Sequence, residues 1–479
     1  VTNLRKYYPD PSALARSTWD IIERFWNLDL SFTDTFMADK YSKFGPAPRT
    51  PSCMQRSYLL SIDFKVTSLT EWAAQLKMNP LYAILSGFEV GNTPGVGTFY
   101  DFFNRLWDSD DDHMSPHIHP LKTKVKKPKT KGTKADSVEK VTVADLLPTL
   151  EKTDFKLDEQ PYSSLFKIYQ KEFLEISVSA GLIHADSLAL AGDGTPVVTS
   201  HRERKKRICN CKENGIHDCN CDRYFSQPDC DIGWDSSRDC YYHGYDLYML
   251  VDSQSDLPVF PHFSCASKHD SHGFLHAFFR MKSFLPEYSV SKVLLDAAHD
   301  AMPYYQYFKR KNITPFIDLN GKGGRPPVYK NDFTIDKDGV PICPSGFRMR
   351  RDGVEVAKGR MKFKCPKISH AGGCISCTCD NPCSNAKYGR TVHLVLNDNP
   401  RLFNNPPRSS KEWKQEYNAR TSVERSNKRE KLDFRLEDGR HRSTKMWYCR
   451  LYHILMLQHL DAWDLPSESP LRKLILDVA

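Results

Sequence analysis

The segment Tyr417-Asn-Ala-Arg420-Thr-Ser-Val-Glu424, followed by Lys431, gathers a phenol, a guanidinium, a carboxylate and an ammonium. Residues advance by about 100° along an α-helix, so positions four apart lie about 40° from each other and positions seven apart about 20°. One uninterrupted helix therefore carries Tyr417, Arg420, Glu424 and Lys431 on a common face. A carboxylate there can hold a metal ion while its basic and phenolic neighbours grip phosphates. As charges alone, the same residues describe a solvated helix whose i, i+4 Glu/Arg pairs contribute on the order of a few tenths of a kcal/mol each.

A second chemistry is that of thiolates. The chain has 15 cysteines, an odd number, and most fall in two short stretches. Its beginning, VTNLRKYYPDPSALAR, lacks the apolar run of an export signal. These features oppose a disulfide framework and favour metal binding. Cys209-x-Cys211 and Cys219-x-Cys221 offer four thiols around His217. Cys343, Cys365, Cys374, Cys377, Cys379 and Cys383 form a second set, with His370 nearby. Four thiolates hold Zn²⁺ tetrahedrally and can order a loop that has no core, so both sets are candidate structural zinc sites. The one-residue spacing makes the first the less usual of the two.

Composition bounds what can position these groups. The chain has 479 residues, 40% hydrophobic and 27% charged, enough for two to four domains of an ordinary globular kind. No run approaches the roughly 18 apolar residues of a membrane span, and a cytoplasmic, soluble protein is expected. A net charge of +9 suits a polyanionic partner.

Five regions follow from patterning. Residues 1–112 read as helical: Ser68-Leu-Thr-Glu71 fits a capping box, with Trp72, Ala73 and Leu76 at helical spacing, and a further helix opens near Thr98. Residues 113–150 form a charged linker in which Leu121 to Lys134 is rich in lysine. Residues 151–320 alternate strand and helix signals. Ser187 to Ala191 is a strand that ends at Gly192-Asp193-Gly194, and Lys292 to Leu295 is another that ends at Asp296. Strands at Tyr241–Val251, Leu257–Phe263 and Thr314–Leu319, with helices at Gly273–Leu285 and through Tyr304 and Phe308, complete a mixed α/β sheet. A cysteine-rich loop, 205–240, interrupts this region. Residues 321–407 are a second cysteine-rich insertion. Residues 408–479 hold a long helix from Lys411 through Leu432 and another from Lys445 to Trp463. His269 and Asp270 stand at a helix start and read as a cap. Trp413 reads as a core or interface residue.

The spacing Tyr, two residues, Arg, three residues, Glu, six residues, Lys resembles the signature of bacterial insertion-sequence transposases of the DDE type, and all four positions match. Leu190-Ala-Gly-Asp193-Gly-Thr-Pro resembles the first catalytic aspartate of that family. Leu294-Leu-Asp296-Ala-Ala-His-Asp300 resembles the second; relatives often carry Tyr where this chain has His299. The resemblance runs from about residue 60 to 465. It implies a ribonuclease-H-like catalytic core behind an all-α N-terminal domain. In that core Asp193, Asp296 and Glu424 hold two Mg²⁺ (or Mn²⁺) ions, while Tyr417, Arg420 and Lys431 contact DNA. It further implies hydrolysis at the ends of a transposon to free a 3′-OH that attacks target DNA, and a homodimer on double-stranded DNA. Carboxylates collected at strand ends repel one another and need cations, and two ions about 4 Å apart suit phosphodiester chemistry. Asp300 is the rival of Asp296 as second ligand; its place at a helix start suggests a cap. Two other functions share these features: a metal-dependent nuclease without strand transfer, and a zinc-stabilised DNA-binding protein with a dead site. The intact Asp193, Asp296 and Glu424 count against the latter.

Overall fold

The computed structural model describes residues 2–10, 14–121, 141–200, 204–321, 328–329, 333–369, 376–377, 379–380, 382–386 and 389–463, with the backbone alone at 328, 329, 369, 376 and 377. At its centre is a six-stranded mixed sheet: β1 (Leu188–Val198), β2 (Asp231–Asp235), β3 (Cys240–Asp252), β4 (Pro258–Cys265), β5 (Val290–Leu295) and β6 (Thr314–Ile317). The order is β2-β3-β1-β5-β6, and β4 also pairs with β3. β1 lies antiparallel to β3 and parallel to β5, which is parallel to β6. Three antiparallel strands leading into three parallel ones is the ribonuclease-H-like arrangement expected from the sequence.

Apolar and β-branched runs explain the central strands. Leu294 and Leu295 are buried, as are Leu188, Leu190 and Ala191 beside them, because helices cover both faces of the sheet. Helix α1 (Asp270–Phe284) packs on β3 and β4 through Phe274, Leu275 and Phe278. It starts where the sequence placed a cap: the His269 side chain accepts the Ser271 amide at 3.2 Å. Helix α2 (Met302–Arg310) links β5 to β6.

Two expectations about local structure are corrected. β1 does not end at Asp193 but continues to Val198, because its other edge stays paired with β3, from Leu190↔Asp252 to Val198↔Gly244. The parallel pairing with β5 does stop, at Ala191↔Leu294. Asp193 therefore lies just past the parallel half of the sheet while still inside a strand. The expected helix from Lys411 through Leu432 is broken into α3 (Lys411–Asn418) and α4 (Thr421–Lys428), followed by a wider turn at Arg429–Asp433. At the joint the backbone bonds tighten to three-residue spacing, with Arg420 N on Tyr417 O at 2.9 Å and Ser422 N on Ala419 O at 3.1 Å.

Helix α5 (Thr444–Ala462) is buried along nearly its whole length. It packs against Pro51–Asp63 and Val96–Leu106 of the N-terminal helices and against Ser163–Tyr169. One cluster of buried residues consequently runs from Phe25 through the sheet to Leu460. Helices Leu69–Met78 and Pro80–Ser86 lie in the same N-terminal region, and Ser68 caps the first by accepting the Glu71 amide at 3.4 Å. In the expected linker, Ile118–His119 pairs with Arg223–Phe225, and Val143–Lys152 is a helix opened by a Thr142/Asp145 capping box. All of the lysine-rich stretch after Leu121 lies outside the described residues, as do residues 135–140. The second insertion has its own three-stranded sheet, Arg350–Glu355, Arg360–Lys364 and Thr391–Val395, over a small core that includes Met361, Phe363 and Leu394. Among the described residues no helix is long and apolar enough to cross a membrane.

Candidate active site

Asp193 on β1 and Asp296, the residue after β5, stand on neighbouring parallel strands. Side chains alternate along a strand, so Gly192 and Gly194 face away from Asp193. Both glycines are needed for close approach. A Cβ at Gly192 would stand 2.8 Å from the Tyr248 hydroxyl, and one at Gly194 would stand 2.5 Å from Asp270 Oδ1 and 3.1 Å from Asp246 Oδ1. Two further carboxylates thus press against the strand behind Asp193. Sequence reading passed over both. An aspartate interrupting the mostly apolar run Tyr245 to Val251 was the signal for Asp246, and Asp270 was read only as part of a cap.

The electrostatics follow from this crowding. Burial, then the charges of Asp296 and Asp270, push the Asp193 carboxyl up to about 7, against the pull of Arg420. Asp246 is driven well above the carboxylate range by burial and by Asp270 and Asp193, and its Oδ2 is buried without a hydrogen-bond partner among the described residues. Asp296 behaves differently. Burial would push it up, but the hydrogen bond from His299, with the Ala298 amide, holds it below its usual value. His299 Nδ1 lies 2.6 Å from Asp296 Oδ1, and its Nε2 lies 2.9 Å from the Tyr248 hydroxyl. The imidazole is completely buried. It fixes Asp296 from beneath, and the Asp296 side chain also accepts the Ala298 amide at 3.1 Å.

Glu424 arrives from the other side. Ser410 caps α3 by accepting the Trp413 amide at 3.1 Å. Trp413 is buried, its ring 4.6 Å from the Tyr417 ring and near Phe316 of β6; it is a packing residue, as expected. Lys292 of β5 binds Glu416 at 2.7 Å. These contacts fasten α3 to the parallel edge, and α4 then crosses β1 and β3. Arg420, at the joint between the helices, reaches Glu424 Oε1 at 2.5 Å and Asp193 Oδ2 at 3.8 Å. One guanidinium therefore bridges the first aspartate and the glutamate.

The remaining signature residues lie close by but do not share one straight helix face. Tyr417 belongs to α3, beneath Arg420, and burial pushes its phenol up to about 12, so it is a proton donor at neutral pH. Lys431 lies in the turn after α4, 3.5 Å from Glu437. Asp300 is not a cap. Its carboxylate is fully buried and receives Arg401 Nε at 2.8 Å, the Tyr305 hydroxyl at 3.0 Å and the Asn320 amide at 2.8 Å. With its oxygens spent on Arg401 of the insertion and on Tyr305 and Asn320 of the core, it is a structural anchor.

Residues 187–458, more than half of the chain, match the transposase DDE domain. The chain belongs to that family. The match spans every strand of the central sheet, and Asp193, Asp296 and Glu424 all lie inside it. Membership of the transposase DDE domain family implies transposition, a phosphodiester-cleaving chemistry, and DNA as the partner. No curated protein matches the chain.

Of the two cysteine sets, Cys209, Cys211, Cys219 and Cys221 come together in this transposase. Cys343 and Cys365 are buried, and Cys379 and Cys383 are half-buried. Among the described residues these four do not converge into a group of three or more. Cys374 and the Cys377 side chain lie outside the described residues.

Proposed function

We propose that this chain is an insertion-sequence transposase of bacterial type, acting in the cytoplasm on the ends of its own DNA element. It cleaves a phosphodiester to free a 3′-OH and transfers that end to target DNA. The single observation that carries this reading is the convergence of Asp193, Asp296 and Glu424 from two parallel strands and a crossing helix, with Arg420 bridging Asp193 and Glu424.

The donor set fits Mg²⁺ or Mn²⁺: hard carboxylate oxygens, crowded enough to lift Asp193 to about 7, with few cations to balance them. Asp193, Asp296 and Glu424 would hold two such ions, which when bound activate the attacking oxygen and stabilise the leaving one. The protein side of the chemistry is positioning. His299 and Tyr248 fix the direction of Asp296. Glu424 is half-exposed at the mouth of the site, where DNA enters. Arg420 is held between two carboxylates in the free protein and turns to a DNA phosphate when the carboxylates are otherwise neutralised. Tyr417 and Lys431 flank it as a phenolic donor and an ammonium. Cutting two ends together calls for two copies on the DNA.

The test is cleavage of a duplex carrying the native element's end in Mg²⁺, by wild type and by Glu424→Ala. The expected result is a 3′-OH cut and strand-transfer products from the wild type alone, with DNA binding kept by the variant. Equal cutting by both proteins removes Glu424 from the site. Cutting without joined products makes the chain a nuclease.

A further inference from the structure

The loop between the short strands Lys205–Arg207 and Arg223–Phe225 leaves β1, the strand of Asp193, and carries four cysteines. One sulfur from each of Cys209, Cys211, Cys219 and Cys221 lies within 4.8 Å of the others. Cys209 and Cys219 are 3.6 Å apart, as are Cys211 and Cys221. Four thiolates at about 2.3 Å from a tetrahedral zinc stand roughly 3.8 Å from one another. A disulfide needs about 2.05 Å, and all four are free thiols.

Arg223 supplies a second, independent observation. It is 5% exposed. Its guanidinium lies 3.0 Å from Cys219 Sγ and 3.8 Å from Cys209 Sγ, and donates to the carbonyl oxygens of Cys221 at 2.6 Å and Cys219 at 3.1 Å. A guanidinium withdrawn from water needs a nearby negative charge. Neutral thiols offer none, whereas four thiolates around Zn²⁺ carry a net charge of −2.

The surrounding chain has little else to order it. Ile208 and Ile216 are exposed. The two strands have three residues each, and their third partner, Ile118–His119, has two. A ribbon this short is marginal without a cross-link. We infer that Cys209, Cys211, Cys219 and Cys221 bind one structural Zn²⁺, with Arg223 as the counter-charge. On binding, four thiols release four protons to solvent and four Zn–S bonds form. The metal then fixes a turn next to the exposed, consecutive cations Arg204, Lys205, Lys206 and Arg207, whose charge suits a phosphate backbone. Cys-x-Cys spacing, the less usual at first sight, is met by two pairs on facing arms of one hairpin.

The experiment uses the full-length chain purified without chelator. Zinc content is measured by elemental analysis for wild type and for Cys211→Ser/Cys219→Ser. The expected loss is one zinc per chain, while any metal on the second cysteine set stays. An unchanged content in the double variant overturns the site. Because that variant can misfold, the wild type is also alkylated with iodoacetamide and mapped by mass spectrometry. Protection of these four thiols that disappears with chelator supports the inference. Equal labelling with and without chelator, or a disulfide between them, overturns it. Either result leaves the transposase reading untouched.

Discussion

His299 Nδ1 lies 2.6 Å from Asp296 Oδ1, on an imidazole that is wholly buried. Tyr248 holds its far nitrogen. Together they orient the carboxylate that ends β5. Groups that orient a metal-binding carboxylate typically matter about 10–100-fold. His299→Ala is expected to lower Mg²⁺-dependent end cleavage by about that range, His299→Gln to recover part of it, and Tyr248→Phe to lose several-fold. Cleavage rates across a Mg²⁺ titration give the answer. Wild-type rates for His299→Ala at every Mg²⁺ concentration would remove it from the site.

Arg420 makes the second prediction. In the free protein it neutralises part of the charge on Asp193 and Glu424, so under the proposed function it would compete with a divalent ion for the same oxygens. A guanidinium this close favours the charged carboxylate and has to be displaced before a metal ion takes its place. Arg420→Gln should therefore bind Mg²⁺ on the order of tenfold tighter without DNA, yet cut the element end more slowly. Calorimetric titration and a cleavage assay read the two effects. Weaker Mg²⁺ binding by the variant contradicts the bridging role.

Asp296 and Asp300 separate by kind of damage. Asp300 is buried against Arg401 and Tyr305 and ties the second insertion to the core. Asp300→Ala leaves Arg401 without its partner. The loss should reach at most the ~3–5 kcal/mol of a broken buried pair, since Arg401 keeps part of its surface in water. Asp296→Asn, which keeps an oxygen for the His299 and Ala298 hydrogen bonds, should instead spare stability and abolish cleavage. Thermal melts beside cleavage assays distinguish them, and the reverse pattern would exchange the two roles.

Glu430 gives a pH signature away from the Asp193–Asp296–Glu424 cluster. It is buried, and burial outweighs its bonds from Gln458 and Ser426, pushing the carboxyl up to about 8. In the unfolded chain a glutamate titrates near about 4.3. Between these values the native state holds a proton that the unfolded state has released, so stability falls as pH rises through this window. The contribution is whole below about 4.3 and lost once pH passes about 8. Glu430→Gln lacks this slope. Its melting-temperature advantage over wild type should widen from pH 5 to 8 and level off above. A difference that is constant with pH would show that Glu430 does not titrate in this range.

By itself the sequence marked most of the central strands and the residues proposed to carry the chemistry. Apolar runs announced β1, β3, β4, β5 and β6, since a strand covered on both faces is largely apolar. The spacing of Tyr417, Arg420, Glu424 and Lys431 marked the signature segment without any knowledge of what it packs against. Tertiary structure decided what local periodicity does not encode. β1 runs past Asp193 because β3 pairs with it there, a contact between residues far apart in the chain. The signature helix breaks at Arg420 because α3 is fastened to β5 and β6 while α4 must cross β1 and β3. Asp300 proved to be an anchor because Arg401, distant in sequence, folds back on it. Asp246 and Asp270 come close to Asp193 because Gly194 of the same strand leaves room for them. Local signals arise from residues a few positions apart. Charge crowding, bridging and competition among carboxylates arise from distances in space, and only the fold sets those.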